Sequence, residues 1–404
     1  MVLLKVGEVI ADRFQIKDVI SHRDHNGKCF LFSHEQNLTL HATVSIYTAI
    51  DIPSSYVVAL KVNHKADLVH YEFCLYTRFQ HLDGFPLLLC ADSHENHRPR
   101  YGAFAMELLG PSLDKLVSNA EGSQFTLKTT LQVIDQVITR IQAIHTRGFC
   151  HRGIKPDNFC TGPPGSAHEY KVYMIDFDLA KKFRDQRTKL HIPYRENNDV
   201  GNPNWASLNV DLGVEPSRRD DMESVGYMAV FFLKGCLPWL SVHGCRPAYP
   251  EHRKKKDTTL EYLCQDLPEE LATYIAYCRS LRFDDEPDYE YCRGLFRQVF
   301  ERAGFKDDGV YDWPASEIEL DIWENAPSPG SPQVSAWGDG DDADLEIAGP
   351  VDPVDPVDSV DTANAADTVE TVDTVDTVEE AIPFLKRQKR RHPETTEETC
   401  PAPS

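Results

Sequence analysis

Four short motifs in a fixed order constrain the fold of this chain more than any other feature of its sequence. Val58–Lys61 is an apolar stretch that ends in a lysine, and Glu72 follows it in a segment with helical spacing. A polar run spans His151–Asn158, and the triplet Asp176–Asp178 comes after it. Each motif alone is weakly specific. Their order and spacing across more than a hundred residues are highly specific, so chance agreement is a poor explanation.

In order and spacing, these motifs resemble the signature set of the protein kinases. The resemblance implies that Lys61, held by Glu72, orients the phosphates of ATP. It also implies that Asn158 and Asp176 bind Mg²⁺ ions. Five further strings resemble the casein kinase 1 family closely, namely Met106–Leu113, His191–Asn197, Leu212–Glu215, Ser217–Asp221 and Cys278–Asp285.

The resemblance runs from about Asp12 to Trp313 and implies an α+β chain with the two-lobed protein-kinase fold. A small strand-rich N-lobe would cover about residues 12–106, and a larger helical C-lobe about residues 110–313. The residue patterns agree, because β-branched and aromatic runs predict strands at Arg13–Ile20, Val44–Ala49 and Tyr56–Val62. Helical spacing predicts helices at Leu68–Phe79, Thr126–Arg147, Asp221–Lys234 and Pro268–Leu281.

The resemblance also implies which residues surround a bound nucleotide. Ile46 and Ala59 would form the apolar walls of an adenine slot. Met106 would be the gatekeeper residue, and the hinge would run from Glu107 to Leu109. Lys155 would reach a phosphate oxygen. Arg195 lies in the region where the family binds anions and prefers phosphate-primed acidic substrates. The nearby run Arg253–Lys256 either belongs to that region or is a solvated charged face.

Four departures from the family pattern fall at positions that carry the chemistry. Gly153 replaces the aspartate that accepts the proton of the substrate hydroxyl. Asp178 replaces the glycine that usually follows Asp176 and Phe177, so it adds a carboxylate beside the metal site. Asn202 replaces a threonine that normally sits beside the missing aspartate.

The fourth departure is the loss of the glycine-rich loop that covers the phosphates. Counting back from Lys61 without gaps puts the three loop glycines at Thr39, His41 and Val44. A placement at Ser21–Gly27 recovers only one glycine. Under either placement, side chains stand where backbone amides must approach phosphate closely. About eighteen extra residues also separate the first strand from Lys61.

Together these departures predict a pseudokinase that acts by binding partners, with weak or absent binding of ATP and Mg²⁺. The alternative is an active Ser/Thr kinase of acidic or phosphate-primed proteins that uses Asp178 or Asp157 as a substitute carboxylate. A third hypothesis assigns the function to the tail and leaves the kinase fold as a scaffold. Lys61 and Glu72 are either a residual nucleotide contact or a purely structural ion pair.

The chain changes character after Trp313. Residues 314–404 contain 22 acidic and 5 basic residues and carry −17 of the formal net charge of −22, which leaves −5 for residues 1–313. Val351–Glu380 repeats a Val-Asp-Pro or Val-Asp-Thr triplet. A period of three fits neither an amphipathic helix nor a strand, so this tail is predicted to be disordered. It is either a solvating spacer or a docking segment for a basic partner.

Amino-acid composition indicates which classes of binding partner and which cellular compartment to expect. The acidic balance of the chain argues against a chain-wide electrostatic footprint for nucleic acid, so protein partners or protein substrates are expected. The most apolar segment, Tyr227–Leu240, is interrupted by Lys234 and Pro238, which argues against a membrane partner. Eleven scattered cysteines without a C-x-x-C pair indicate reduced thiols in the cytoplasm or nucleus. The basic cluster Lys386–Arg391 is a candidate nuclear import signal.

Overall fold

The structure, a computed structural model, describes eight stretches of the chain: residues 4–24, 29–30, 42–63, 65–91, 101–185, 187–196, 200–240 and 254–313. The predicted tail from residue 314, with its repeats and the cluster Lys386–Arg391, lies outside the described residues, as do Thr39 and His41. Within the described stretches, strands dominate up to residue 107 and helices dominate after it. The predicted two-lobed division is therefore confirmed.

Among the described residues, the N-lobe forms a seven-stranded sheet in which six strands follow the order β1-β2-β4-β5-β7-β6 and β3 pairs with β2. All neighbouring strands are antiparallel. The three strands predicted from the sequence coincide with β2, β4 and β5, although β2 and β4 extend farther toward the tip of their hairpin. The bounds are β1 (Val9–Ile10), β2 (Phe14–Asp24), β3 (Cys29–Phe30), β4 (Ala42–Asp51), β5 (Tyr56–Asn63), β6 (Leu88–Ala91) and β7 (Gly102–Glu107).

The sheet separates two hydrophobic cores. Residues 57, 59 and 61 of β5 point to one face, and residues 58, 60 and 62 point to the other, because side chains alternate along a strand. The first face packs against helix α1 (Ala66–Phe79), and the second is covered by N-terminal residues that include Leu4 and Ile10. Lys61 therefore lies on the face that looks toward α1.

Helix α1 carries a charged residue within its buried stripe. Val69, Leu75 and Phe79 are buried, and Glu72 lies among them with only 2% of its surface exposed. A carboxylate in such a position needs a partner, because burying an unpaired charge is costly. The helix begins two residues before its predicted start at Leu68 and ends at Phe79, as predicted.

Where the structure describes it, the C-lobe contains helices α2–α8 and two small two-stranded sheets. Its longest described helix, α3, buries a row of isoleucines against α5 and α8. None of the described helices has both the length and the apolar character that a membrane span requires. The helices are α2 (Leu113–Asn119), α3 (Leu127–Thr146), α4 (Leu208–Asp211), α5 (Arg218–Lys234), α6 (Leu260–Leu263), α7 (Glu269–Ser280) and α8 (Tyr289–Arg302). The strands are β8 (Phe149–Cys150), β9 (Phe159–Thr161), β10 (Val172–Met174) and β11 (Lys181–Lys182).

Helix α5 begins three residues before the predicted start at Asp221. The carboxylate of Asp220 accepts a hydrogen bond from the backbone N–H of Ser217 at 2.7 Å, so the first turn closes earlier than the apolar pattern suggests. The helix ends at Lys234, as predicted, because Gly235 adopts φ +70°. This start places Asp221 in the first turn, where it reaches the polar loop that precedes β9.

Candidate functional site

Strand register brings four predicted site residues to one face of the N-lobe sheet. Ile46 of β4 lies opposite Lys61 of β5, and Ala59 lies opposite Met106 of β7. Because Ala59 and Lys61 are two residues apart, all four side chains share the face that packs toward α1. The residues predicted to line an adenine slot are therefore assembled beside the predicted phosphate-orienting lysine.

Lys61 is buried between two carboxylates from distant parts of the chain. Its ammonium group donates to Glu72 of α1 and to Asp176, each at 2.7 Å. All three residues are at most 7% exposed. The predicted pair of Lys61 and Glu72 therefore extends to Asp176 and joins the N-lobe to the C-lobe. We call these three residues and Asp178 the lysine cluster.

The charges in the lysine cluster do not balance. Burial alone would lower the pKa of Lys61, but the negative charges of Asp176, Glu72 and Asp178 raise it above its ordinary value. Burial raises the pKa of Glu72 to about 7, and the charges of Asp176 and Asp178 add to this effect against the opposing effect of Lys61. The ammonium group thus contacts two carboxyl groups, and the charge of a third, that of Asp178, acts on it without a described contact.

Phe177 anchors the segment that carries Asp176. Its ring is fully buried among four others at centroid distances of 4.9–5.9 Å, those of Tyr76, Phe79, Phe85 and His151. The backbone N–H of Phe177 donates to Glu72 at 3.1 Å. The N–H of Asp176 donates to the hydroxyl of Tyr76 at 2.9 Å. Asp176 has φ +71°, a conformation that a non-glycine residue keeps only when its surroundings impose it, and here α1 does so.

The polar loop His151–Asn158 is braced by one carboxylate. Asp221 accepts from the backbone N–H of His151 at 2.7 Å and from that of Arg152 at 2.9 Å. It also lies 2.9 Å from Nε2 of His145. Burial lowers the pKa of His145, so the neutral imidazole donates this third hydrogen bond. The loop is thereby fixed to the start of α5.

Gly153 stands where the family has its proton-accepting aspartate, and the loop around it is otherwise intact. Its carbonyl oxygen accepts from the side-chain amide of Asn158 at 2.8 Å. Its φ is not in the left-handed region, and a Cβ built there would come no closer than 3.3 Å to any neighbour, namely Nδ1 of His151. The backbone therefore does not require glycine. The missing carboxylate is a chemical difference and not a conformational one.

The two positions predicted for the glycine loop include residues from two paired strands, β2 and β4. Ser21 of β2 pairs with Ile46 of β4, and the pairing continues to Asp24 and Ala42. Val44 is therefore inside a paired strand, and so is Ser21. The extra residues fall between Asp24 and Ala42, and most of this stretch lies outside the described residues.

Two side chains of the predicted hinge contact other parts of the protein. The carboxylate of Glu107 is buried and accepts from the backbone N–H of Leu87 at 3.2 Å. Burial raises the pKa of Glu107. Leu109 packs against Cys160 and Tyr173 of the C-lobe. The described contacts of the hinge side chains are therefore with other parts of the protein.

The predicted anion-binding region separates into exposed and buried residues. Arg195 is exposed, as are two lysines of the neighbouring run, Lys254 and Lys256. Lys255 is 5% exposed, and its ammonium group donates to the carbonyl oxygens of Pro203 at 2.8 Å and Ala206 at 2.6 Å. The prediction of a solvated or anion-binding lysine is wrong here, because Lys255 holds the segment that leads to α4. Arg253 lies outside the described residues.

Asp114 is a site residue that the sequence did not single out. It lies in the first turn of α2, after Ser112, whose hydroxyl caps that helix. Burial raises the pKa of Asp114 to about 6, and the charge of Asp157 adds to this effect while Lys155 opposes it. Asp157 therefore belongs to a charged group with Asp114 and Lys155. Only the helix cap at Ser112 marks this position in the sequence, and nothing there relates it to the loop.

Asn202 has a local structural role. Its side-chain Oδ1 accepts from the backbone N–H of Asn204 at 3.0 Å, and its carbonyl accepts from those of Trp205 and Ala206. Among the described contacts of Asn202, none reaches Gly153. This departure from the family pattern therefore stabilises a turn ahead of α4.

The donor set beside Lys61 suits a magnesium ion. Asn158 and Asp176 are 2% and 7% exposed, and the carbonyl of Asn158 accepts from the N–H of Ile175, directly before Asp176. Amide and carboxylate oxygens are the hard ligands that Mg²⁺ prefers. When bound, the ion would supply charge neutralisation for phosphate oxygens. Asn158 and Asp176 would hold it, while Lys61 keeps Asp176 oriented.

Comparison with known protein families agrees with this geometry. The family model for the protein kinase domain matches residues 43–278, which is more than half of the chain. The match begins in β4 and ends in α7, so it contains Lys61, Glu72, the polar loop and Asp176. By its sequence and by its two-lobed fold, this chain belongs to the protein kinase domain family.

Proposed function

We propose that this protein is a casein-kinase-1-like pseudokinase that works by binding protein partners. The observation that carries the proposal is Gly153, which leaves the polar loop in place but without a carboxylate for the substrate hydroxyl. Loss of a general base costs about 10²–10⁴ in rate. Protein kinases turn over at about 1–100 s⁻¹. Loss of the base alone would therefore leave slow transfer.

The lengthened β2–β4 hairpin supports a further loss. Glycines let backbone amides approach phosphate, and positioning supplies most of the catalysis of phosphoryl transfer. Neither placement of the loop recovers the three glycines. We therefore expect ATP and Mg²⁺ to bind weakly or not at all, although Ile46, Ala59 and Met106 keep an apolar slot.

A partner-binding role is supported by side chains that join the two lobes and fix the segment after Asp176. The lysine cluster joins the two lobes. Glu215 accepts from Lys181 at 3.1 Å and pairs with Arg152 at 3.5 Å, so the segment after Asp176 is fixed at its far end as well. In other kinases, phosphorylation or the nucleotide often orders this segment. Here an internal carboxylate does so, which would offer a partner a preformed surface.

The tail and the compartment belong to the same proposal. Residues 314–404 would act as an acidic spacer or would dock a basic protein partner. The protein would function in the cytoplasm or the nucleus, with Lys386–Arg391 as an import signal.

The second candidate function is that of an active Ser/Thr kinase, and the retained geometry of Lys61, Glu72 and Asp176 favours it. Asp178 or Asp157 would then replace the missing carboxylate. Its substrates would be acidic or phosphate-primed proteins that bind near Arg195.

Phosphate transfer from γ-labelled ATP to casein, with Mg²⁺ or Mn²⁺, separates the two candidates. Lys61→Met protein is the control, because it lacks the phosphate-orienting ammonium group. We expect wild-type protein to transfer no more phosphate than this control. Transfer at an ordinary kinase rate that disappears in the control would establish the active kinase instead.

Nucleotide binding can be tested separately by thermal shift. A ligand at 100 times its Kd stabilises a protein by about 2.7 kcal/mol. We expect no measurable shift at micromolar ATP. A clear shift at that concentration would mean that the lost glycines matter less for binding than we infer.

A further inference from the structure

A cavity lies in the C-lobe between α3, α8 and the segment that follows α8. Its volume is about 390 Å³, within the range of about 300–1,000 Å³ that is typical of small-molecule sites. Leu131 of α3 and Phe296 of α8, both 5% exposed, line its apolar part together with Phe300 and Tyr311. None of its lining residues belongs to the lysine cluster or to the polar loop, so the cavity is separate from the proposed nucleotide slot.

The wall formed by the segment after α8 is fixed against α3. The ring of Tyr311 stacks on that of Tyr170 at a centroid distance of 5.0 Å. The hydroxyl of Tyr311 accepts a hydrogen bond from Nε2 of Gln136 at 3.2 Å. The carboxylate of Asp307 accepts one from Nε2 of Gln132 at 3.3 Å. These contacts form the cavity without any ligand, as is usual for small-molecule sites.

Two buried side-chain oxygens of the lining residues lack a hydrogen bond. Among the described residues, none donates to Oε1 of Gln132 or to Oδ1 of Asp135. Nη2 of Arg297, which also lines the cavity, lies 3.9 Å from Oδ1 of Asp135, too far for a hydrogen bond. Arg297 instead donates to Glu290 at 2.7 Å. Because a buried acceptor without a donor is costly, these two oxygens point to a donor that comes from outside the chain.

The lining residues favour a cation as that donor. Asp135 and Asp307 place two carboxylates at the cavity, whereas the guanidinium group of Arg297 is already paired with Glu290. An ammonium group offers several N–H donors together with a positive charge. Gln132 and Asp135 are three residues apart on α3, so they lie on the same side of the helix and one ammonium group can reach both. The faces of the aromatic rings in the wall also attract a cation.

We propose that this cavity binds a small organic amine. Its ammonium group donates to Oε1 of Gln132 and Oδ1 of Asp135, and its apolar body packs against Leu131, Phe296 and Phe300. The carboxylates at the cavity repel an anion, and a purely apolar ligand leaves both acceptors unpaired. The inference goes beyond the proposed function, and it does not depend on the loss of phosphate transfer.

The test is a fluorine NMR titration of the full-length protein with para-fluorophenethylamine, in which broadening of the ligand signal reports binding. We expect para-fluorophenylpropionate, which has a carboxylate in place of the ammonium group, to bind at least roughly tenfold more weakly, because like charges then meet. Asp135→Asn keeps the size of the side chain but removes its charge. It should weaken binding of the amine roughly 10–100-fold, because charge-assisted hydrogen bonds are the strong ones.

Asp67→Asn, which makes the same change at an exposed carboxylate of α1, is the matched control and should leave binding unchanged. Carboxylates of the tail also attract amines, but they are the same in all variants, so only the difference between variants reports on the cavity. A thermal melt of each variant verifies that it is folded. The proposal is overturned if the wild type binds the amine no better than the carboxylate. It is also overturned if Asp135→Asn weakens binding of the amine no more than Asp67→Asn does.

Discussion

The lysine cluster and the loop around Gly153 belong to one kinase domain, yet their residues do different things for the fold. Lys61, Glu72 and Asp176 are buried, and each neutralises or orients the others. At Gly153, no described contact requires a side chain, and the backbone is ordinary. Stability alone is therefore enough to keep the cluster, whereas the backbone at Gly153 takes an ordinary conformation without the aspartate. A retained lysine and its carboxylates are thus a weak indicator of catalysis.

Breaking the lysine cluster should have the largest effect on stability. Lys61→Met leaves Glu72 and Asp176 buried without their cation, and breaking a buried ion pair in this way costs about 3–5 kcal/mol. The free energy of unfolding from a urea titration is the measurement. Lys65→Met, at an exposed position next to α1, is the control and should change it by less than about 0.5 kcal/mol. Equal effects of both substitutions would remove the structural explanation for the cluster.

Removing Asp221, which braces the polar loop, should have the second-largest effect on stability. Asp221→Ala leaves the backbone N–H groups of His151 and Arg152 buried without an acceptor, and we expect a loss of about 1–3 kcal/mol. Asp221→Asn keeps one acceptor oxygen and should lose less. Asp257→Ala, at an exposed position, is the control for unfolding measurements. If Asp221→Ala behaves like this control, the loop is held by something else.

The contributions of the lysine cluster and of the braced loop to the free energy of unfolding should depend on pH in opposite directions. The pKa of Glu72, about 7 in the fold, is above its ordinary 4.5, so the stability linked to its protonated form is lost as pH rises from 4.5 to 7. Burial lowers the pKa of His145 below its ordinary 6.5, so the stability linked to its neutral form is lost as pH falls below 6.5.

Glu72→Gln and His145→Gln test this difference. Each should remove its own pH-dependent contribution, whose slope is at most about 1.4 kcal/mol per pH unit. Unfolding free energies of the two variants and the wild type between pH 5 and 8 give the slopes. Slopes that change in the same direction in both variants would contradict the assignment.

Restoring the aspartate should have the smallest effect on stability. For Gly153→Asp, the new Cβ meets its nearest neighbour at 3.3 Å, so we expect a change within about 1 kcal/mol. Gly226→Ala in α5 is the matched glycine control, because its Cβ would lie 2.5 Å from Ile275 and overpacking costs about 1–3 kcal/mol. A larger loss for Gly153→Asp than for Gly226→Ala would mean that the loop has adapted to glycine.

Much of the fold was predictable because its signals are local. The apolar stripe of α1 gave its bounds within two residues. The alternation in β5 put Lys61 on the same face as Ala59. These features depend on neighbouring residues alone.

Other features depend on contacts that no local pattern records. The sequence around Lys255 is typical of a solvated lysine, but its ammonium group donates hydrogen bonds to the carbonyl oxygens of Pro203 and Ala206. Asp114 became part of the site only because α2 packs beside the polar loop and brings it to Asp157. The extra residues before Lys61 were visible in the sequence, but the pairing of β2 with β4 as far as Asp24 and Ala42 was not, because strand register depends on contacts between distant residues.

The most direct test of the central claim is the rate of casein phosphorylation at saturating ATP for the wild type, for Gly153→Asp, and for Gly153→Asp with a transplanted glycine-rich loop. The claim is that the cleft lacks both the proton acceptor and the phosphate cover. We therefore expect the wild type and the single variant to stay at least about a hundredfold below the ordinary range of 1–100 s⁻¹. Only the combined variant should approach that range. If Gly153→Asp alone reaches it, the hairpin can cover phosphate, and one residue separates this protein from an active kinase.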